Sequence, residues 1–496
     1  MFRLLFLLVL TALGPLSGRA QDLPYYSPDT TQRQQLALAQ SRAVKAGLLV
    51  PKAGSGEFRE HYRRVVDEAS ADVYNAIRYS ALLDPVLEPY VQRVFARILA
   101  ANPQLPATTR LVLSRNPDPN ARAAGNSTVL LNLGLLPRLE NESQLAYILC
   151  HELAHIACHH LETGLRERLL ALHSKQLKEE FRRIINSEYN INSQVKTLAL
   201  GFSLNTNYHQ RRFEKQADSV GFVLLGRTRY DTPQAYRTLQ LLDVIDQPED
   251  PRPLPLRSYF SCAEFPRPFG DAPARPASIF TVKAAEKTVL ETTDTLKSHP
   301  DCGKRMRYVQ ALAGGRVAAG PQPAGPPEFD RIRRLSRLEL VQSWFDYECY
   351  DHALFEALQQ LGPDPANAYL RGMVQLSLFE LREHLQHHTY SEVVSNISPR
   401  QDAGFNALLS ALQDLRLDDF RGLSVCFAQA AGAPAPAAPP TDEYALAARY
   451  AAAVLASEPA APAAQALRAN YQRQYPQGRF AELLFPAPKP KTKGRR

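Results

Sequence analysis

Cysteine is scarce in this sequence, long apolar runs are absent but for one, and neither sign of charge dominates its body. Six cysteines in 496 residues (150, 158, 262, 302, 349, 426) form no CxxC pair, which excludes a dense disulfide scaffold. Cys150 and Cys158 fall on one predicted helix, too far apart to bond each other, and read as buried thiols; Cys262 with Cys302 is a candidate bridge. A single apolar run lacks charges for any length, which excludes a polytopic membrane protein. At 45% hydrophobic and 22% charged residues the composition is globular, with room for roughly two or three domains.

The formal charge of +8 suggests a nucleic-acid partner until its bases are located. Arg3 and Arg19 lie in residues 1–20, and Lys489, Lys491, Lys493, Arg495 and Arg496 in the last eleven, with no acid in either segment. The remainder holds 51 bases and 50 acids, so no nucleic acid is expected. The one apolar run, Leu4–Leu16, follows Arg3 and precedes Gly18-Arg19-Ala20, as in a secretory signal peptide cut before Gln21. Its 13 residues fall short of the ~20 of a spanning helix. An exported chain with no transmembrane span after cleavage is therefore expected, and the absence of a cysteine after the cut argues against a lipoprotein.

Residues 56–101 carry helical periodicity, 110–116 and 127–133 suggest a short two-stranded sheet, and Asn141 with Gln144 suggests a capped helix through "SQLAYILCHELAHIACHH". Further helices are expected over about 163–190 and 210–226. Eight prolines in 248–276 predict a stiff irregular excursion. "GGRVAAGPQPAGPP" at 314–327 reads as a domain linker. Beyond it, Trp344, Tyr347, Tyr350, Ala353 and Pro365 resemble one tetratricopeptide repeat, with a generic helical bundle as the alternative. Residues 433–440 read as a low-complexity linker and 486–496 as a disordered basic tail.

The chemistry concentrates in His151-Glu152-Leu153-Ala154-His155. Histidines at i and i+4 share a helix face, so both rings reach one zinc while Glu152 addresses its water. A catalytic zinc needs a third protein ligand and an open position. The histidine that a metzincin places at 161 is missing, since Leu161 stands there; His159 and His160 read as supporting or surface residues. Glu214, 59 residues after His155 in "RRFEKQADSVGFVLL", is the better candidate, with Asp218 one turn on to accept a ligand's ring N–H. Asn120-Ala121 precede a predicted edge strand suited to an extended peptide. His299 and Arg305 in "SHPDCGKRMRYVQAL" are candidate donors to a developing oxyanion.

These four elements in this order resemble the HExxH zinc endopeptidase family of the CaaX prenyl proteases, the bacterial membrane heat-shock protease and periplasmic quality-control peptidases, over about residues 80–312. The soluble periplasmic branch with carboxy-terminal tetratricopeptide repeats is the nearest in style. The resemblance implies a mainly α fold with a small β-sheet: a signal peptide (1–20), a gluzincin-type zinc metallopeptidase domain (21–313), a Gly/Pro linker (314–327), a helical tetratricopeptide-like region (328–485) and a basic tail (486–496). It implies one Zn(2+) per chain on His151, His155 and Glu214, with Glu152 as general base, Asp218 orienting a ligand, and Asn120-Ala121 contacting substrate. It also puts His299 at the site, as oxyanion donor or as a regulatory cap on zinc, and Arg305 as substrate contact or ion-pair partner. The expected function is an exported, periplasmic or secreted metalloendopeptidase, soluble or peripheral to a membrane, acting on unfolded or misassembled proteins in envelope quality control, with an assembly partner reached through the repeats. The alternative is a repeat-containing chaperone or scaffold with a latent zinc site. "RAAGN" after Asn120 and Ser298 before His-Pro depart from the family's pattern.

Overall fold

The computed structural model describes residues 23–185, 211–245, 254–266, 269, 302–316, 327–398, 401–430, 442–457 and 461–484. They are mostly helical with one small sheet. Helices α1 (Thr31–Gly47), α2 (Gly56–Ser80) and α3 (Leu87–Ala101) lead into β1 (Arg110–Ser114), β2 (Ala121–Ala124) and β3 (Thr128–Asn132). The periodic stretch 56–101 is thus two helices, separated at Asp84-Pro85, where the Asp84 carboxylate accepts from the N–H groups of Val86 and Leu87.

The sheet has three strands rather than the expected two, in the order β1-β3-β2. Gly125, with φ of 61°, turns the chain between β2 and β3, a left-handed conformation that a side chain disfavours. Ala121–Ala124 is consequently an edge strand, antiparallel to β3, while β3 is central and parallel to β1. Alternation divides the faces. Val112, Ala124 and Leu130 pack on α1 and α2, whereas Leu111, Leu113, Ala121, Val129 and Leu131 join the core beneath α3 and the helix that follows.

That next helix, α4 (Glu142–Ala157), runs through the centre of the domain, and nearly every residue from Gln144 to Ala154 is buried. Asn141 caps it by accepting from Gln144 N–H, and Gln144 returns its own side-chain oxygen to Glu140 N–H. The single helix expected over 163–190 is instead broken in two, α5 (His160–Leu172) and α6 (Lys175–Ile185). Ser174 interrupts it, accepting the N–H of Leu177 as a new cap. The described part of α7 covers 211–226; α8 (Gln234–Asp243), α9 (Leu256–Phe260) and α10 (Cys302–Leu312) follow.

The remaining long helices are α11 (Pro327–Asp346), α12 (Tyr350–Leu361) and α13 (Ala368–Gln386); after the short α14 (Tyr390–Val393) come α15 (Ala403–Gln413), α16 (Asp419–Gln429), α17 (Glu443–Ala456), α18 (Pro462–Gln474) and α19 (Ala481–Leu484). Helix α11 joins two cores: Phe329, Ile332 and Leu335 pack with α3 and α4, and Val341 and Phe345 with the carboxy-terminal helices. The described part of the proline-rich excursion belongs to the second core, through Leu256, Tyr259, Phe260, Phe265 and Phe269. Cys262 there is bonded to Cys426 of α16, not to Cys302, which is a buried thiol at the start of α10. The excursion lies against the carboxy-terminal helices and so brings Cys262 to α16.

Candidate metal centre and active site

Three elements meet at the chemistry: α4 supplies His151, Glu152 and His155, α7 supplies Glu214 and Asp218, and α10 supplies Arg305. The approach of α7 to α4 depends on Gly221, where an added Cβ would lie 3.1 Å from both the Cα and N of His151. Nothing larger than hydrogen fits there without moving one helix.

The Nε2 atoms of His151 and His155 are 3.1 Å apart. The Glu214 carboxylate stands 3.5 Å from the first and 3.4 Å from the second. One atom from each of the three residues falls within 4.8 Å of the others. Ligand bonds of about 2.0–2.1 Å in a tetrahedral zinc site put neighbouring donors roughly 3.3 Å apart, so this N,N,O set fits zinc by spacing as well as chemistry. Burial works against a charge on His151, but Asp218 and Glu214 outweigh it and draw its pKa up to about 10. The field that attracts a proton there also attracts a cation.

Behind the donors, His151 Nδ1 lies 3.1 Å from Asp218 Oδ1. Burial opposes ionisation of Asp218, yet two hydrogen bonds of 2.7 Å from Arg305 hold its pKa at about 2. Arg305 also reaches Glu214 Oε2 at 2.9 Å, and only 5% of it is exposed. Its guanidinium therefore ties together the two carboxylates of α7. Tyr147, one turn before His151, donates to Asp218 Oδ1 at 3.0 Å, and burial first, then Asp218, push its phenol well above the usual range.

Glu152 is buried beside His151 and accepts the N–H of Ala123 at 2.7 Å, which sets its carboxylate against the outer edge of β2. Asn120 and Ala121 border a small cavity shared with His151, Glu152, Leu242 and Arg305. The Asn120 side chain accepts from Ala121 N–H. His159 is exposed, with φ of 50°, whereas His160 is buried and stacked on Phe213; burial pushes its pKa down to about 4. His299 lies outside the described residues.

Sequence reasoning did not single out Tyr147, Gln216 or Gly221. Tyr147 carried a usable signal, since i−4 from a liganding histidine shares its helix face. Gly221 sits one helical turn or less beyond Asp218 on the apolar side of α7, but only the packed pair of helices reveals why a glycine stands there.

Residues 85–313 match peptidase family M48. The mitochondrial metalloendopeptidase OMA1 of Schizosaccharomyces pombe is 28% identical over 187 residues, 36% of this chain and 50% of that protein. A putative beta-barrel assembly-enhancing protease of Vibrio cholerae is 28% identical over 166 residues, 32% of this chain and 33% of that protein. The beta-barrel assembly-enhancing protease of Escherichia coli is 26% identical over 165 residues, 32% and 34% of the two chains. The chain thus spans half or less of the length of these relatives, and residues 85–313 contain α4, the described part of α7 and α10. Residues 85–313, with their buried HExxH helix and a converging glutamate, thus form a peptidase M48 domain.

Proposed function

We propose that this chain is a zinc-dependent metalloendopeptidase, one zinc per chain, that cleaves unfolded or misassembled proteins in envelope quality control. The observation that carries the reading is the convergence of His151, His155 and Glu214 with Glu152 facing the outer edge of β2. A shared family supports the reaction class, and the relatives named for beta-barrel assembly support the pathway.

His151 and His155 would hold the metal through Nε2, and Glu214 through its carboxylate. A zinc held there would supply Lewis acidity toward the scissile carbonyl and toward water. Asp218 accepts the Nδ1–H of His151 and so reserves Nε2 for the metal. Glu152 takes a proton from the attacking water and returns it to the leaving amine. The substrate lies along β2 from Asn120-Ala121, and Glu152 releases the Ala123 N–H as it does so. Arg305 acts by positioning Glu214 and Asp218, and His299 is kept as an oxyanion donor or a cap on zinc.

Export is supported by the amino-terminal segment and by the Cys262–Cys426 disulfide, a bond of oxidising compartments. Among the described residues no helix is long and apolar enough to cross a membrane. We read the peptidase unit as ending near residue 313 and α11 to α13 as tetratricopeptide-like hairpins able to bind an assembly partner.

Casein hydrolysis and metal content of the wild type and Glu152→Gln test the reading. The variant should keep its zinc and lose about 10²–10⁴-fold in rate. Undiminished cleavage by Glu152→Gln would remove Glu152 as the base. A wild type that binds zinc, holds unfolded casein and leaves it uncut is instead the scaffold alternative.

A further inference from the structure

We propose that His160 and Gln216 are positioning residues that hold His155 in the one neutral tautomer able to offer Nε2 to a metal. This rests on the reading of His155 as a zinc ligand. His151 has a carboxylate behind it, whereas among the described residues a histidine stands behind His155: its Nδ1 lies 3.0 Å from Nδ1 of His160, whose Nε2 lies 3.1 Å from Oε1 of Gln216.

The proton order along this chain follows from its far end. An amide oxygen only accepts, so His160 carries its proton on Nε2. A neutral imidazole has one N–H, so His160 Nδ1 is a lone pair. His155 must then donate from Nδ1, which leaves Nε2 bare and directed at His151 and Glu214. The opposite order, begun by the amide N–H₂ of a turned Gln216, ends with a proton on His155 Nε2, where it would occupy the metal's place.

The backbone explains how His160 reaches this position. Helix α4 ends at Ala157, and His159 adopts a left-handed conformation that starts a new helix at His160. The His160 ring swings behind His155 and stacks on Phe213 of α7 with centroids 4.6 Å apart. Helix α7 thus serves both histidines, Asp218 acting on His151 directly and Gln216 on His155 through His160. The second partner is uncharged, so it orients His155 without adding a negative charge beside Glu214 and Asp218.

Zinc affinity of the full-length chain, measured by chelator competition, tests this alongside the spectrum of the cobalt-substituted protein and the urea midpoint of the metal-free form. His160→Phe keeps a ring on Phe213 and removes the acceptor; it should weaken zinc binding about 10–100-fold, alter the cobalt spectrum and leave the metal-free midpoint near wild type. His160→Gln, which restores an acceptor oxygen, should recover most of the affinity, and Gln216→Leu should show a smaller loss of the same kind. Affinities within twofold of wild type for both His160→Phe and Gln216→Leu would overturn the proposal, as would a loss in His160→Phe that only tracks metal-free stability and is not rescued by His160→Gln. His155→Ala separates the two readings: zinc retained there overturns the ligand assignment itself, whereas zinc lost there but unchanged in His160→Phe overturns the tautomer relay alone.

Discussion

Glu214 is held from two sides: Arg305 Nη1 lies 2.9 Å from its Oε2, and both histidine Nε2 atoms stand within 3.5 Å of its carboxylate. In the proposed enzyme it is the only carboxylate among three ligands, so Glu214→Ala should abolish stoichiometric zinc after dialysis. A full complement retained by that variant would require a different third ligand. The HExxH pair and Glu152 were legible because a five-residue helical spacing fixes which side chains share a face. Arg305 was legible as a residue of the site, but its partners were not. That it binds two acids of α7 instead of facing solvent follows from burial, which local spacing does not encode.

Helix α7 depends on a packing distance. Gly221→Ala gains helix propensity of roughly 1 kcal/mol but places a methyl against the backbone of His151 and Cys150, at 3.1–3.3 Å. Because those atoms belong to the stretch of α4 that is buried from Gln144 to Ala154, the contact should win. The variant is expected to be no more stable than wild type and to bind zinc about tenfold more weakly, as equilibrium dialysis and urea unfolding would measure; an unchanged affinity would mean that α4 and α7 shift apart without cost.

Helix α13 carries a different liability. Glu380 is buried, and burial, helped by Glu383 and Glu348, raises its pKa from 4.5 to about 8. Between those values the folded chain keeps a proton that the unfolded chain releases, so stability falls as pH rises through this window. Below it both states are protonated and nothing is lost. Glu380→Gln should flatten this slope and add on the order of 2 kcal/mol above pH 8, with little effect at pH 4. A slope in Glu380→Gln as steep as that of the wild type would mean that Glu380 ionises alike in the folded and unfolded chains. The helices themselves were largely visible as apolar periodicity, but the break at Ser174 was not: the residues on both sides continue the same pattern, and a single serine side chain ends it.

Across the described residues, a partly buried ion network joins the amino-terminal segment, the peptidase domain and the carboxy-terminal helices. Arg479 pairs with Asp346 at 2.6 Å and donates to the carbonyl of Tyr25 at 2.9 Å. Arg115 from the end of β1 reaches the same Asp346 at 2.7 Å and Glu339 at 2.9 Å. Burial raises Glu339 to about 7 against the pull of both arginines. Arg479→Ala would leave Asp346 and Glu339 with one cation between them; the exposure of Asp346 places the expected cost between that of surface and buried pairs, about 1–3 kcal/mol. Urea unfolding should show that loss, and a change below about 1 kcal/mol would mean that water replaces the guanidinium.

By itself the sequence determined the HExxH helix, the helix that carries Glu214 and Asp218, the mostly helical class and the family resemblance. Each rests on spacing along one chain segment or on the order of such segments. Only the tertiary structure decided that β3 is central and β2 an edge strand, that Cys262 bonds to Cys426, that α11 enters both cores, and that His160 stands behind His155. Those are matters of which distant surfaces bury one another. Contacts across 164 residues, as in the disulfide, are set by the summed packing of the helices between them, a global balance that no local pattern expresses.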